Sequence, residues 1–106
     1  MLFVETTTFT RHLSAHLDDA GYAELQEFLS ARPDAGKVVR GTGGLRKIRW
    51  RSKGSGKRGG IRVIYYRCFR EDRIYLLTLY AKGVRNDLTL AEKTAWRKVV
   101  EEIEHG

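Results

Sequence analysis

Four basic residues carry the chemical interest of this 106-residue sequence: Lys47, Arg49, Arg62 and Lys82. Lys47 and Arg49 stand two apart in LRKIRW, and period-two alternation puts both on one face of a strand. Arg62 follows the first residue of IRVIYYRC, and Lys82 closes RIYLLTLYAK, two further stretches that alternate in the same way. Cations gathered like this can grip phosphates. Arg46, Arg51, Lys53, Lys57 and Arg58 extend the positive charge, while Tyr65, Tyr66 and Tyr80 offer rings on which unpaired bases can stack.

The distribution of charge supports that chemistry. The chain carries +7 overall, yet Lys37 to Arg73 alone holds 13 Lys/Arg against two acids, a net +11, which leaves −4 for the remainder. Such two-sidedness suits a polyanion on one face. Between Gly44 and Tyr66 there is no carboxylate at all.

Other site chemistries fit the sequence poorly. GSGKRGG resembles a phosphate loop only superficially, because Arg51 stands where the first glycine belongs, Arg58 follows the lysine, and a strand rather than a helix comes next. His12 and His16 have a zinc-compatible i, i+4 spacing but no evident third ligand, so they read as a solvent-facing pair. No Ser-His-Asp set or paired carboxylates are recognisable, and no metal or cofactor is expected. Cys68 stands alone, excluding an internal disulfide, and reads as a small buried hydrophobe. MLFVETTTF lacks the pattern of a signal peptide and no run of apolar residues is long enough for a membrane span, so a cytoplasmic location is expected.

One domain, residues 1–106, must position these groups. MLFVE fits a first strand. TTTF offers hydroxyl caps to a helix carrying Phe9, Leu13 and Leu17, and Asp18 and Asp19 cap a second helix that Pro33 stops. Three strands then follow as an antiparallel meander. In the first of them Ile48 and Trp50 oppose Leu45, Lys47 and Arg49; in the second Ile61, Val63 and Tyr65 oppose Arg62, Ile64 and Tyr66. In the third Tyr75, Leu77, Leu79 and Ala81 oppose Ile74, Leu76, Thr78, Tyr80 and Lys82, after a tight turn at Glu71-Asp72. Thr89 and Glu92 have capping-box spacing, and Trp96, Val99, Val100 and Ile103 stripe a final helix. The expected class is α+β in the order β-α-α-β-β-β-α, with helices on one face of the sheet and the other left open to a partner.

GTGGLRKIRWRSKGSGKRGGIRVIYY, followed by IYLLTLYAK and then DLT with an acid-containing helix, resembles the RelE/HigB superfamily of bacterial toxins, especially HigB-like members, over essentially the whole chain. The resemblance implies a twisted, mainly antiparallel sheet packed by helices. It also implies a ribosome-dependent endoribonuclease that cuts translated mRNA without metal. A cognate HigA-like helix-turn-helix antitoxin would neutralise it and contact operator DNA, so that the toxin meets DNA only through that partner. Carried over by residue, the family's basic pair falls on Lys47 and Arg49, its arginine on Arg62, and its last basic residue on Lys82, where an arginine is often found.

Attack of a 2′-hydroxyl on the adjacent phosphate needs a proton acceptor, charge stabilisation and a proton donor. Lys47 is then the candidate base, Arg62 the phosphate clamp, and Lys82 or Arg49 the acid or second clamp. Some relatives use histidine or acidic groups instead; Asp87 can substitute for such a carboxylate or serve as a cap. The alternative is a non-catalytic module that binds RNA, the ribosome or an antitoxin.

Overall fold

The computed structural model describes residues 1–53, 60–85 and 87–106. β1 (Leu2–Glu5) leads into α1 (Thr7–His16) and α2 (Asp19–Ala31). The Thr6 hydroxyl accepts the Phe9 N–H at 3.1 Å and donates to the Leu77 carbonyl at 2.7 Å, capping α1 and tying its start to the sheet. Asp18 caps α2 by accepting the Gly21 N–H at 2.8 Å. There follow β2 (Lys37–Val38), β3 (Arg46–Trp50), β4 (Ile61–Cys68) and β5 (Arg73–Ala81). The expected capping box, with both Thr89 and Glu92 engaged, opens α3 (Leu90–His105).

The strands form one mixed sheet in the order β1-β5-β4-β3-β2, with β1 parallel to β5 and the other pairs antiparallel. The expected meander is β3-β4-β5. β2 was not anticipated, because two residues are too few to show alternation.

Two expectations need correction. First, β5 does not keep one alternation throughout. Ile64 pairs with Thr78 but Tyr65 pairs with Leu76, which leaves Leu77 as the extra residue of a β-bulge. Ile74, Leu76 and Leu79 therefore join one core, and Leu77 and Tyr80 the other, rather than Leu77 sharing a face with Leu79.

Second, neither sheet face is left wholly open. Phe9, Leu17, Leu25 and Leu29 from the α1–α2 side pack on Ile61, Val63 and Tyr65. On the opposite face α3 and its approach bring Leu88 and Val100 onto Ile64, Leu77 and Tyr80, with Val39 and Leu45 completing that second core. Each such side chain, fully buried, contributes on the order of 1.5–3 kcal/mol, which is why a helix with one apolar stripe settles there. Cys68 is fully buried, as expected, and burial pushes its thiol up.

Candidate functional site

Strand register brings the cations together. Lys37 stands directly opposite Lys47 across β2 and β3, and Arg49 directly opposite Arg62 across β3 and β4. Because Lys47 and Arg49 are two residues apart, both like-charged pairs lie on one sheet face. Directly opposed like charges destabilise a sheet, and for Lys47 the Asp87 carboxylate offsets that cost. Lys47 is also opposite Ile64, which belongs to the core under α3. The cations therefore sit where the cover of α3 ends. Arg62 is only 6% exposed, and Tyr80 stands opposite it on β5.

The connector into α3 supplies a carboxylate. Asp87 lies 3.4 Å from the Lys47 ammonium and 3.9 Å from that of Lys93, and it accepts the Leu88 N–H at 2.8 Å. Desolvation pushes its carboxyl up, but the Leu88 donor and the Lys47 and Lys93 charges together outweigh it, and Asp87 titrates below the usual aspartate value. The Asp87 side chain remains 48% exposed. Arg85 then spans the connector, with its guanidinium 4.5 Å from the Tyr80 ring centroid and 2.5 Å from Glu92. Glu92 also accepts the Thr89 N–H, so one carboxylate both caps α3 and anchors Arg85.

Beyond Lys47, β3 runs past the end of β2 and borders a cleft of about 1160 Å³. Lys37, Lys47, Arg49 and Arg62 line it on one side, and Phe28, Ile48 and Trp50 on the other. Its rim is the turn from Pro33 to Gly36, and the sequence holds that turn in place through Tyr65. The Tyr65 hydroxyl donates to the Pro33 carbonyl at 2.8 Å and accepts the Gly36 N–H at 2.9 Å. A Cβ on residue 36 would lie 2.9 Å from the Tyr65 ring, so glycine permits this approach. Arg46 reinforces the turn by donating to the carbonyls of Asp34 and Gly36 at 3.1 and 2.7 Å.

The structure thus unites Lys47, Arg49 and Arg62 in one cleft. It does not bring the other expected residues there. Arg46 is occupied by the Asp34–Gly36 turn. Lys82 is exposed in the turn after β5 and Arg51 is exposed beyond β3. Lys53 is anchored to the end of α1, its ammonium donating to the Ser14 carbonyl at 2.5 Å and its N–H to that of His16 at 2.8 Å. Lys57 and Arg58 lie outside the described residues.

The tyrosines expected to stack on bases are used otherwise. Tyr65 is fully buried, and Tyr80 is 6% exposed beneath Arg85, its hydroxyl without a hydrogen-bond partner among the described residues. Tyr66 is half-buried and its hydroxyl donates to Glu104, fastening the end of α3. Burial and the Glu104 carboxylate hold the Tyr66 hydroxyl well above its ordinary value. Lys37 was the cleft residue the sequence did not single out, because β2 gave no periodic signal; Trp50 and Phe28 pack against the α1–α2 core, as Trp50 was expected to, and also line the cleft.

No family model matches the chain. Among solved structures it is similar to an arginine-to-alanine double mutant of the Escherichia coli toxin RelE in the free state, with a TM-score of 0.60 and 15% identity, over 89% of this chain and 94% of that one. At that identity the likeness is one of fold. The chain therefore has a RelE-like α+β fold, a five-stranded mixed sheet carrying three helices.

Proposed function

We propose that this chain is the toxin of a type II toxin–antitoxin pair, a HigB-like, metal-independent endoribonuclease that cleaves mRNA on the ribosome in the bacterial cytoplasm. The observation that carries the proposal is the gathering of Lys37, Lys47, Arg49 and Arg62, at opposed register positions, in one cleft on a RelE-like sheet. Its inactivating partner is a HigA-like helix-turn-helix antitoxin, through which alone it meets operator DNA.

In the proposed reaction the 2′-oxygen attacks the adjacent phosphorus, the bond to the 5′-oxygen breaks, and a cyclic phosphate and a free 5′-hydroxyl result. Arg62 and Arg49 hold the non-bridging oxygens and stabilise the charge that grows on them. Lys47 and Asp87, 3.4 Å apart, form the proton-handling pair. Asp87, with its lowered pKa, is ionised at neutral pH and able to accept a proton, but it is a weak base. With Asp87 accepting, the Lys47 ammonium is the candidate donor to the leaving oxygen, because Lys82 stands exposed outside the cleft. With such modest acid–base groups, alignment of the RNA must supply much of the acceleration, and the ribosome provides that alignment.

The test is cleavage of a translated mRNA with purified ribosomes. Arg62→Gln and Lys47→Ala should each lower the rate roughly 10²-fold or more, as removal of a transition-state charge stabiliser does, with the circular dichroism spectrum unchanged. Undiminished cleavage in either variant refutes its assigned role. An intact mRNA with the parent chain makes the protein a binding module instead.

A further inference from the structure

The burial of Tyr65 and Tyr80 and the engagement of Tyr66 leave the cation cluster without the ring it was expected to have from them. The cleft itself supplies one. Trp50 ends β3, is half-buried, and lines the same cleft as Lys37, Lys47, Arg49 and Arg62. It packs on Phe28 with centroids 5.4 Å apart and planes inclined at 51°, a tilted contact rather than a parallel stack. The Arg32 guanidinium, 6.0 Å from the Phe28 ring centroid, brings a further cation to the same wall.

Strand geometry explains how ring and cations reach one ligand. Arg49 and Trp50 are consecutive, so their side chains leave opposite faces of β3. In the interior of a sheet that would separate them. Here β2 pairs only as far as Lys47, so among the described residues the margin of β3 beyond it has no strand partner, and the cleft takes in residues from both faces there. A ligand seated across that margin meets cations on one side and an indole on the other. Single-stranded RNA has that division within each nucleotide, an anionic phosphate and a flat base, and proteins bind it by combining a cationic track with aromatic platforms.

We infer that Trp50, supported by Phe28, is a base-stacking platform for single-stranded RNA whose flanking phosphates are held by Lys37, Lys47 and Arg49. The inference rests on the proposed action on RNA and adds to it a platform on the α2 side of β3. An acidic peptide is the competing occupant, since it would satisfy the cations but has no base to place on the indole.

The experiment uses the full chain with Trp96→Phe, which leaves Trp50 as the only indole. Titration with a short single-stranded oligoadenylate should quench Trp50 emission, whereas inorganic polyphosphate should compete for the cations without quenching. In that background Trp50→Leu should weaken oligoadenylate binding about 5- to 150-fold, the range expected for one lost base stack, and Trp50→Phe, which keeps a ring and guards against misfolding, should retain most of it. Salt-dependent binding without quenching overturns the platform, as does a polyglutamate that competes better than oligoadenylate. Ribosome-dependent cleavage by the same Trp96→Phe protein is scored separately, so failure of the platform and failure of the nuclease reading are told apart.

Discussion

Replacing Gly60 with alanine tests the geometry on which the site depends. Gly60 precedes β4 with φ of +57°, and a Cβ there would lie 2.2 Å from the Trp50 carbonyl oxygen, where real contacts stay beyond 3.0 Å. The obstacle is backbone, so no rotamer change relieves it, and the β3–β4 pairing must open by at least about 0.8 Å beside the Trp50–Ile61 pair. The left-handed conformation alone costs a non-glycine residue about 1–2 kcal/mol, and forced overpacking about 1–3 more. Gly60→Ala should therefore lose about 2–5 kcal/mol and lower Tm by roughly 10 °C or more. Gly83 is the control. Its Cβ would meet nothing within 4 Å and its φ is unexceptional, so Gly83→Ala should stay within about 0.5 kcal/mol of the parent or gain slightly. Urea unfolding of the three proteins decides the matter: a Gly60→Ala chain within about 0.5 kcal/mol of the parent would show that the β3–β4 hairpin yields freely, and the argument from fixed cross-strand cations would fall with it.

Three further outcomes follow from the same contacts. Tyr65→Phe removes both hydrogen bonds to the Pro33–Gly36 turn and should cost about 1–3 kcal/mol in urea unfolding; no loss would mean the turn is held by other contacts. Asp87→Asn removes the carboxylate between Lys47 and Lys93, and its log-log salt slope for single-stranded RNA should steepen by about 0.7 if Lys47 gains a phosphate contact. An unchanged slope would show that the Asp87 carboxylate does not compete with phosphate for Lys47. Asp87 and Glu92 titrate below their ordinary values of 3.8 and 4.5 when folded, so the contribution of their ionised forms is present above those values and lost as pH falls through the lower folded ones. The urea midpoint should drop on going from about pH 7 to about pH 3, less steeply when Glu92→Gln removes one of the two groups.

Much of the molecule was legible because local rules govern it. Caps at Thr6, Asp18 and Thr89 depend on one side chain reaching a nearby N–H, and all three form. The alternation in β3 and β4 depends only on the pleat, so Lys47, Arg49 and Arg62 fell together as expected. By themselves, then, the residues determined the order of the long elements, the ends of the helices and the concentration of positive charge between Lys37 and Arg73.

Only tertiary structure decided the rest, because pairing between distant strands leaves no trace in the periodicity of either one. The bulge at Leu77 turns that side chain toward the α3 core, a shift produced by register between β4 and β5. Lys37 becomes part of the site because a two-residue strand happens to meet Lys47. The fate of the aromatics was decided in the same way: α3 and its connector draw Tyr66 and Tyr80 toward Glu104 and Arg85, while the short reach of β2 leaves Trp50 beside the cations.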